Sequence, residues 1–427
     1  MELFGSISRV KGELEFKGDK SISHRAVIFA SMAKGKSYIH NLSISEDVHS
    51  SRSVFQALGV DISLSENTWQ ISGKGYKGFT PPTGNLDSGN SGTTARLMSG
   101  LLINQKFKST IIGDESLSKR PMKRIIDPLR LMGGRLLPTN DNFLPMTITP
   151  SDQLKPITYT LPIASAQIKS AVALSALHFD DETTIIETFP SRNHTELMLG
   201  LSVTKENDGT FIRVSKKNYP LPFEMTVPGD VSSAAFFIVL ALILPDSELL
   251  IKNISLNPER SHYITLLKQM GGDIEIQETK ESLGESIGNV RVRSSKLRNI
   301  VIPAASVPLI IDEIPILSIC GIFAENDFEI FNAKELRVKE SDRITAMVHN
   351  LRLAGLETEE FPDGFAIREG MPNKPILQAF ESFGDHRIAM SFAVLSCIFA
   401  DGGKVNNFSC ANISNPEFIK QLNSIRG

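Results

Sequence analysis

Cysteine is scarce in this chain. Only Cys320, Cys397 and Cys410 occur among 427 residues, each in or near an apolar run, and no pair has metal-ligand spacing. That usage suits a reducing compartment and offers no disulfide framework. Long hydrophobic runs are missing as well. The longest, such as Ala234 to Pro245, are too short to span a bilayer. The start, Met1-Glu2-Leu3-Phe4-Gly5-Ser6, lacks the basic and apolar segments of a signal peptide, so a cytoplasmic protein without membrane association is expected. An excess of positive charge is also absent. With 45 Lys and Arg against 48 Asp and Glu, the net charge of −3 argues against a general nucleic-acid binder and makes any anion site local. No low-complexity tract or Pro- or Ser-rich linker marks a boundary. There is no Gly-x-Ser-x-Gly elbow, no His-Glu-x-x-His pair, no Walker loop after a strand and no complete Gly-x-Gly-x-x-Gly opening a helix. A nucleotide-dependent kinase or a dehydrogenase is therefore unsupported.

What remains is a globular composition, 41% hydrophobic and 22% charged, in a chain too long for one core. About two large domains are expected. The stretch Lys17-Gly18-Asp19-Lys20-Ser21-Ile22-Ser23-His24-Arg25 precedes the apolar run Ala26-Val27-Ile28-Phe29-Ala30. Two readings stand side by side. Asp19 and Ser21 suit the N-cap of a core helix. Equally, backbone N–H groups, hydroxyls, Lys20 and Arg25 at a helix start describe an anion site.

The pattern recurs. A polar start followed by an apolar, helix-like run appears at Gly18–Met32, Ser88–Leu102, Ala164–Leu177, Pro228–Ile243, Ile311–Phe323 and Phe383–Phe399. The starts are roughly 65–80 residues apart, as expected of a repeat architecture. The runs are apolar nearly all round, which marks buried helices. After each comes an amphipathic helix, five of them stopped by Gly59, Gly133, Gly200, Gly271 and Gly355, and then a strand-like segment such as Val60–Leu64 or Asp273–Ile276. The unit reads strand, buried helix, strand, exposed helix, strand. Gly18-Asp19-Lys20-Ser21 matches Gly229-Asp230-Val231-Ser232, which suggests a duplication of three units with a boundary near Val227.

Cations gather at the helix starts: Lys20, Arg25, Arg120, Lys339, Arg343 and Arg387. Pro121 suits a first helical position, which puts Arg120 at a helix N-terminus, where a cation is unfavourable unless an anion accompanies it. Such a set fits a cleft for phosphates and carboxylates. Asp312 and Glu313 end an apolar segment and are either caps or functional bases, and Glu340 carries the same ambiguity.

Taken together, Asp19-Lys20-Ser21-Ile22-Ser23-His24-Arg25, Gly89-Asn90-Ser91-Gly92-Thr93, Lys119-Arg120-Pro121-Met122, Ser165-Ala166-Gln167, Lys339-Glu340-Ser341-Asp342-Arg343 and Asp385-His386-Arg387-Ile388-Ala389-Met390 resemble the 5-enolpyruvylshikimate-3-phosphate synthases. The motifs occur in the family's order over nearly the whole chain. Ser165-Ala166-Gln167 and Ser191-Arg192-Asn193-His194-Thr195 are similar to the branch called class II.

The resemblance implies an α/β fold of two similar domains, each of three repeated α/β units with helices inside and sheets outside, an inside-out α/β barrel. The expected domains are 15–226 and 1–14 plus 227–427, with the active site in the interdomain cleft. It implies transfer of the enolpyruvyl group of phosphoenolpyruvate to the 5-hydroxyl of shikimate 3-phosphate, in the shikimate pathway to aromatic amino acids. Shikimate 3-phosphate would be held by Lys20, Ser21, Arg25, Ser165, Gln167, Arg192, Asp312 and Lys339. Phosphoenolpyruvate would be held by Lys20, Gly92, Arg120, Gln167, Arg343 and Arg387. Asp312 would be the base at the 5-hydroxyl, and Glu340 and Lys20 would share proton transfer. No metal or organic cofactor, no nucleic acid and no membrane partner is implied, and the protein is expected to be a monomer.

Three positions depart from the family. The loop before the last helix, Cys410-Ala411-Asn412-Ile413-Ser414-Asn415-Pro416, lacks the late lysine that many members carry there, Ala166 stands for a second serine, and no tyrosine closely follows Ser191. Arg192 is then the residue to take over contacts to the shikimate ring. The sister transferase acting on UDP-N-acetylglucosamine usually carries a cysteine near its equivalent of Arg120. No cysteine lies between Met1 and Ile319, which counts against that reading.

Overall fold

A computed structural model describes residues 1–206, 209–368 and 379–427, leaving aside the side chains of 278 and 279. The chain divides into two compact units. One, the N-terminal unit, comprises Lys17–Pro228 with Glu281–Glu285; the other, the C-terminal unit, comprises Met1–Phe16, Gly229–Lys280 and Ser286–Gly427.

In the N-terminal unit the principal helices are α1 (Lys20–Met32), α2 (Glu46–Ala57), α3 (Gly92–Leu102), α4 (Lys123–Leu131), α5 (Ala166–Ala176) and α6 (His194–Leu199). In the C-terminal unit they are α7 (Val231–Ile243), α8 (His262–Gln269), α9 (Ile314–Ile322), α10 (Arg343–Leu353), α11 (His386–Ile398) and α12 (Phe418–Ser424). The odd-numbered helices are the six apolar runs. They are buried on every side: α9 from end to end, α7 along all but Ile243. With no polar face to present to water, each fills the middle of its unit's core. The even-numbered helices keep an exposed face, except α6, whose residues are buried or half-buried. Their five stop glycines, Gly59, Gly133, Gly200, Gly271 and Gly355, all have positive φ, the conformation that ends a helix most cheaply when there is no Cβ.

The repeat is longer by one strand than the sequence pattern suggests. After each exposed helix of the N-terminal unit the chain makes a hairpin: 61–65 with 68–74, 135–139 with 143–149, and 202–206 with 209–214. The second strand of each hairpin pairs antiparallel with the strand that follows the buried helix, and that strand pairs parallel with the one before it. Periodicity reads a hairpin as one segment, because both arms alternate alike. The first unit's parallel strand comes from the far end of its own domain, Glu224–Thr226 against Tyr38–His40. In the C-terminal unit Lys11–Glu15 fills that role beside Glu248–Lys252. Glu2–Phe4 completes the last sheet against Gly403–Val405. Among the described residues the strands form six sheets of three or four strands each.

Among the described residues no single helix is long and apolar enough to cross a membrane.

Candidate active site

Five of the six buried helices are capped by the polar residue that announced them. Asp19 accepts from Ile22 N at 3.0 Å, Ser91 from Thr94 N at 3.1 Å and Ser165 from Ile168 N at 3.4 Å. Asp230 accepts from Ser232 N at 2.8 Å, and Asp385 from Arg387 N at 2.8 Å. Each cap fixes where its helix begins, and so fixes the direction in which the first-turn side chains leave the backbone.

In the N-terminal unit, Lys20 opens α1 and its Nζ donates to Asp47 Oδ2, on α2, at 2.7 Å. Five residues on, Arg25 is 3% exposed. Its Nε donates to Thr195 Oγ1 at 2.7 Å, Nη1 to the carbonyl of Ser21 at 3.0 Å and Nη2 to Ser170 Oγ at 2.7 Å. Burial pulls the Arg25 guanidinium down to about 10, against the upward pull of Glu196, Glu285 and Asp19. At pH 7 it remains a cation.

Helices α3 and α5 bring the second group together. A Cβ on Gly92 would lie 3.3 Å from Arg120 Cζ and 3.0 Å from Arg96 Nη1, so the arginine ends stand against a bare backbone. Arg96 Nη1 donates to Gln167 Oε1 at 2.7 Å and Nη2 to the Pro121 carbonyl at 3.1 Å. Gln167 Nε2 donates to Thr93 Oγ1 at 3.2 Å. Arg120 does not sit at the helix N-terminus that its proline suggests. Pro121 precedes the N-cap Met122, and α4 starts only at Lys123. The reason is Asn142, whose Oδ1 accepts from Met122 N at 3.1 Å and Lys123 N at 2.8 Å and so sets the first turn.

In the C-terminal unit Arg343, 1% exposed, collects three carboxylates. Nε reaches Asp385 Oδ2 at 2.8 Å, Nη1 reaches Asp312 Oδ1 at 3.2 Å and Nη2 reaches Glu340 Oε2 at 2.6 Å. Burial works against the cation, but Asp385, Glu340 and Asp312 outweigh it and hold Arg343 protonated well above its usual range. Lys339 Nζ donates to the same Asp312 Oδ1 at 3.2 Å. Arg387 lies beyond Asp385 on α11. Its Nη1 donates to the Ser232 carbonyl at 3.3 Å and stands 3.6 Å from Glu313 Oε1. Ile413, where the family's late lysine is missing, belongs to a 3₁₀ turn, Phe408–Ile413.

The structure thus joins Gly92, Arg120 and Gln167 through Arg96, and Asp312, Lys339, Glu340 and Arg343 through one guanidinium. Arg25 is tied to the segment that carries Arg192 through Thr195. Several participants escaped the sequence reading. Arg96 stands one helical turn after Gly92, so the i, i+4 rule points to it. Asp47 and Asp385 accept from Lys20 and Arg343, pairings that no local pattern announces. Lys169 stands in the apolar helix α5. It is 1% exposed, and its Nζ meets Glu196 Oε1 at 2.6 Å, Glu187 Oε1 at 3.1 Å and the Ser191 carbonyl at 3.1 Å.

The family model for EPSP synthase, 3-phosphoshikimate 1-carboxyvinyltransferase, matches residues 5–422. The chain is 45% identical to the 3-phosphoshikimate 1-carboxyvinyltransferase of Petrotoga mobilis over 424 residues, 98% of this chain and 97% of that one. It is 42% identical to the enzyme of the same name from Thermoanaerobacter sp. strain X514, over 97% of this chain and 98% of that one. The solved EPSP synthase of Acinetobacter baumannii superposes with a TM-score of 0.85 at 37% identity, covering 99% of this chain and 97% of that one. The enolpyruvyl transferase NikO of Streptomyces tendae shares the fold, with a TM-score of 0.74 at 16% identity over 99% and 96% of the two chains. A match this complete, over motifs that the structure gathers into two sets of cations and carboxylates, makes the chain a member of the EPSP synthase family.

Proposed function

We propose that the protein transfers the enolpyruvyl group of phosphoenolpyruvate to the 5-hydroxyl of shikimate 3-phosphate, releasing phosphate. The observation that carries this reading is the sharing of Asp312 by Lys339 and Arg343, each at 3.2 Å. Two cations fix the direction of the carboxylate, and a base for a hydroxyl must be aimed in this way. In this reading Asp312 takes the proton from the 5-hydroxyl as its oxygen bonds to C2 of phosphoenolpyruvate and C3 gains a proton. Phosphate then leaves C2 and C3 gives up a proton, which restores the C2–C3 double bond as the enol ether of the product. Glu340 and Lys20 serve the two proton transfers at C3.

Ser21, Arg25, Ser165, Gln167, Arg192 and Lys339 hold shikimate 3-phosphate, with Lys20 and Asp312 also touching it. Lys20, Gly92, Arg120, Gln167, Arg343 and Arg387 hold phosphoenolpyruvate. Guanidinium forks match the planar carboxylates and the phosphate oxygens, while Gly92 leaves backbone open to the ligand. The same reading takes the protein as a cytoplasmic monomer.

Phosphate release from phosphoenolpyruvate tests it. Release should require shikimate 3-phosphate and should not occur with UDP-N-acetylglucosamine; the reverse preference would sink the proposal. Asp312→Asn should lower kcat by about 10²–10⁴ in a protein with unchanged circular dichroism.

A further inference from the structure

We propose that Glu285 is a positioning residue for the arginines that take the anionic substrate in the N-terminal unit, acting through His194. This rests on the substrate roles given above to Arg25 and Arg192.

Helix α6 has six residues, and its N-cap Asn193 makes no side-chain cap hydrogen bond. A helix that short has no stability of its own and takes its position from what it touches. Its first three residues are polar and buried: His194 is 0% exposed, Thr195 1% and Glu196 5%. Each is tied to a different part of the unit. Glu196 Oε1 meets Lys169 Nζ, on α5, at 2.6 Å. Thr195 Oγ1 accepts from Arg25 Nε, on α1, at 2.7 Å and shares a hydrogen bond with Ser170 Oγ at 2.7 Å. His194 Nδ1 lies 2.6 Å from Glu285 Oε1, 91 residues further along the chain.

Glu285 is also 0% exposed. It ends a short segment, Glu281–Glu285, that belongs to the N-terminal unit although the strands flanking it run on into the rest of the chain. The neighbours of Glu285 are seated on the same helix. A Cβ on Gly284, at φ +76°, would come 3.2 Å from Leu197 Cβ, and Leu283 packs against that unit's core. The helix is therefore held at Leu197 by the close approach of Gly284 and at His194 by Glu285.

What this grip holds in place is chemistry. Arg192 leaves the backbone two residues before His194. Its other neighbour, Ser191, is pinned through its carbonyl to Lys169 Nζ at 3.1 Å and through its hydroxyl to Glu187. Arg25 takes its orientation from Thr195, the residue after His194. Without the Glu285 carboxylate, His194 Nδ1 would lose a hydrogen bond made in a closed interior. The first turn of α6 would relax, and both guanidinium groups would lose their template. Nearby charge points the same way: Glu196 and Glu285 are the two acids that most favour the charged form of buried Arg25.

Steady-state kinetics on the full chain decide the matter. Glu285→Ala should raise KM for shikimate 3-phosphate about tenfold, or about 1.4 kcal/mol, with kcat and KM for phosphoenolpyruvate within about twofold of the parent. Glu285→Gln keeps an acceptor for His194 and should restore KM to within about twofold of the parent. A folded Glu285→Ala protein with unchanged KM for shikimate 3-phosphate, or an equal loss for both substrates, overturns the proposal. If Glu285→Ala does not fold, Glu285→Asp, which draws the carboxylate back by one methylene, must show the same one-sided KM change in smaller degree or the proposal fails. Arg192→Ala measured alongside separates the two levels. No change in its KM for shikimate 3-phosphate defeats the substrate role of Arg192 and this proposal with it. A large change there with none for Glu285→Ala defeats only the positioning.

Discussion

Arg96 and Gln167 meet through one hydrogen bond, Nη1 to Oε1 at 2.7 Å, which decides which way the amide faces. With its oxygen occupied, Gln167 turns its nitrogen to Thr93 Oγ1, 3.2 Å away. The other end of the guanidinium holds the Pro121 carbonyl, next to Arg120. One buried side chain therefore orients two residues assigned to substrates. Arg96→Met keeps much of the apolar stem but loses both bonds. KM for phosphoenolpyruvate should rise about tenfold, more than any accompanying change in kcat; steady-state kinetics with phosphoenolpyruvate varied will show it.

Gly92 offers a sharper probe of the same place. An added methyl would come within 3.0 Å of Arg96 Nη1 and 3.3 Å of Arg120 Cζ. Both neighbours are ends of flexible side chains, so the fold should survive while Arg120 yields by a few tenths of an ångström. Gly92→Ala should weaken phosphoenolpyruvate binding about fivefold, or about 1 kcal/mol, with an unchanged melting temperature. Loss of folding instead would mean that the arginines cannot move.

His178 gives the N-terminal unit a dependence on pH. Its ring lies 4.8 Å from that of Tyr76 and 5.7 Å from that of Tyr219, and burial lowers its pKa to about 4. In the unfolded chain an imidazole titrates near 6.5. Below that value the unfolded state holds one proton more than the folded state, so stability falls as pH drops from about 6.5 and stops falling below about 4. Across that window the loss is on the order of 3 kcal/mol. His178→Phe should flatten this part of the curve in urea melts taken at pH 7, 5.5 and 4.5. His24, also buried and held well below its usual range by burial, with Lys20 and Arg25 adding to the effect, leaves a residual slope of the same sign.

The architecture was legible because it is periodic. Apolar runs such as Val231–Ile243 and Ile314–Ile322 have nowhere to go but the interior, and five of the six starts carry Asp or Ser where a cap is needed. The stop glycines mark where the exposed helices end, since only a residue without Cβ enters positive φ cheaply. Hairpins were not legible. The pattern shows one strand after each exposed helix where the structure has two, Ser202–Glu206 and Gly209–Val214 among them, and nothing local says that Glu224–Thr226 pairs with the strand at Tyr38–His40, nearly the whole unit away in sequence.

The sequence by itself determined where the buried helices lie and where the exposed ones stop, because caps, breakers and apolar periodicity act over a few residues; the start of α4 was set instead by Asn142, about twenty residues on. Tertiary structure alone decided which charges meet. Arg343 chooses Asp312, Glu340 and Asp385, Arg96 chooses Gln167, and His194 chooses Glu285. These partners lie 3 to 91 residues apart, so their pairing follows from how the buried helices pack and from which charges must be neutralised once water is excluded.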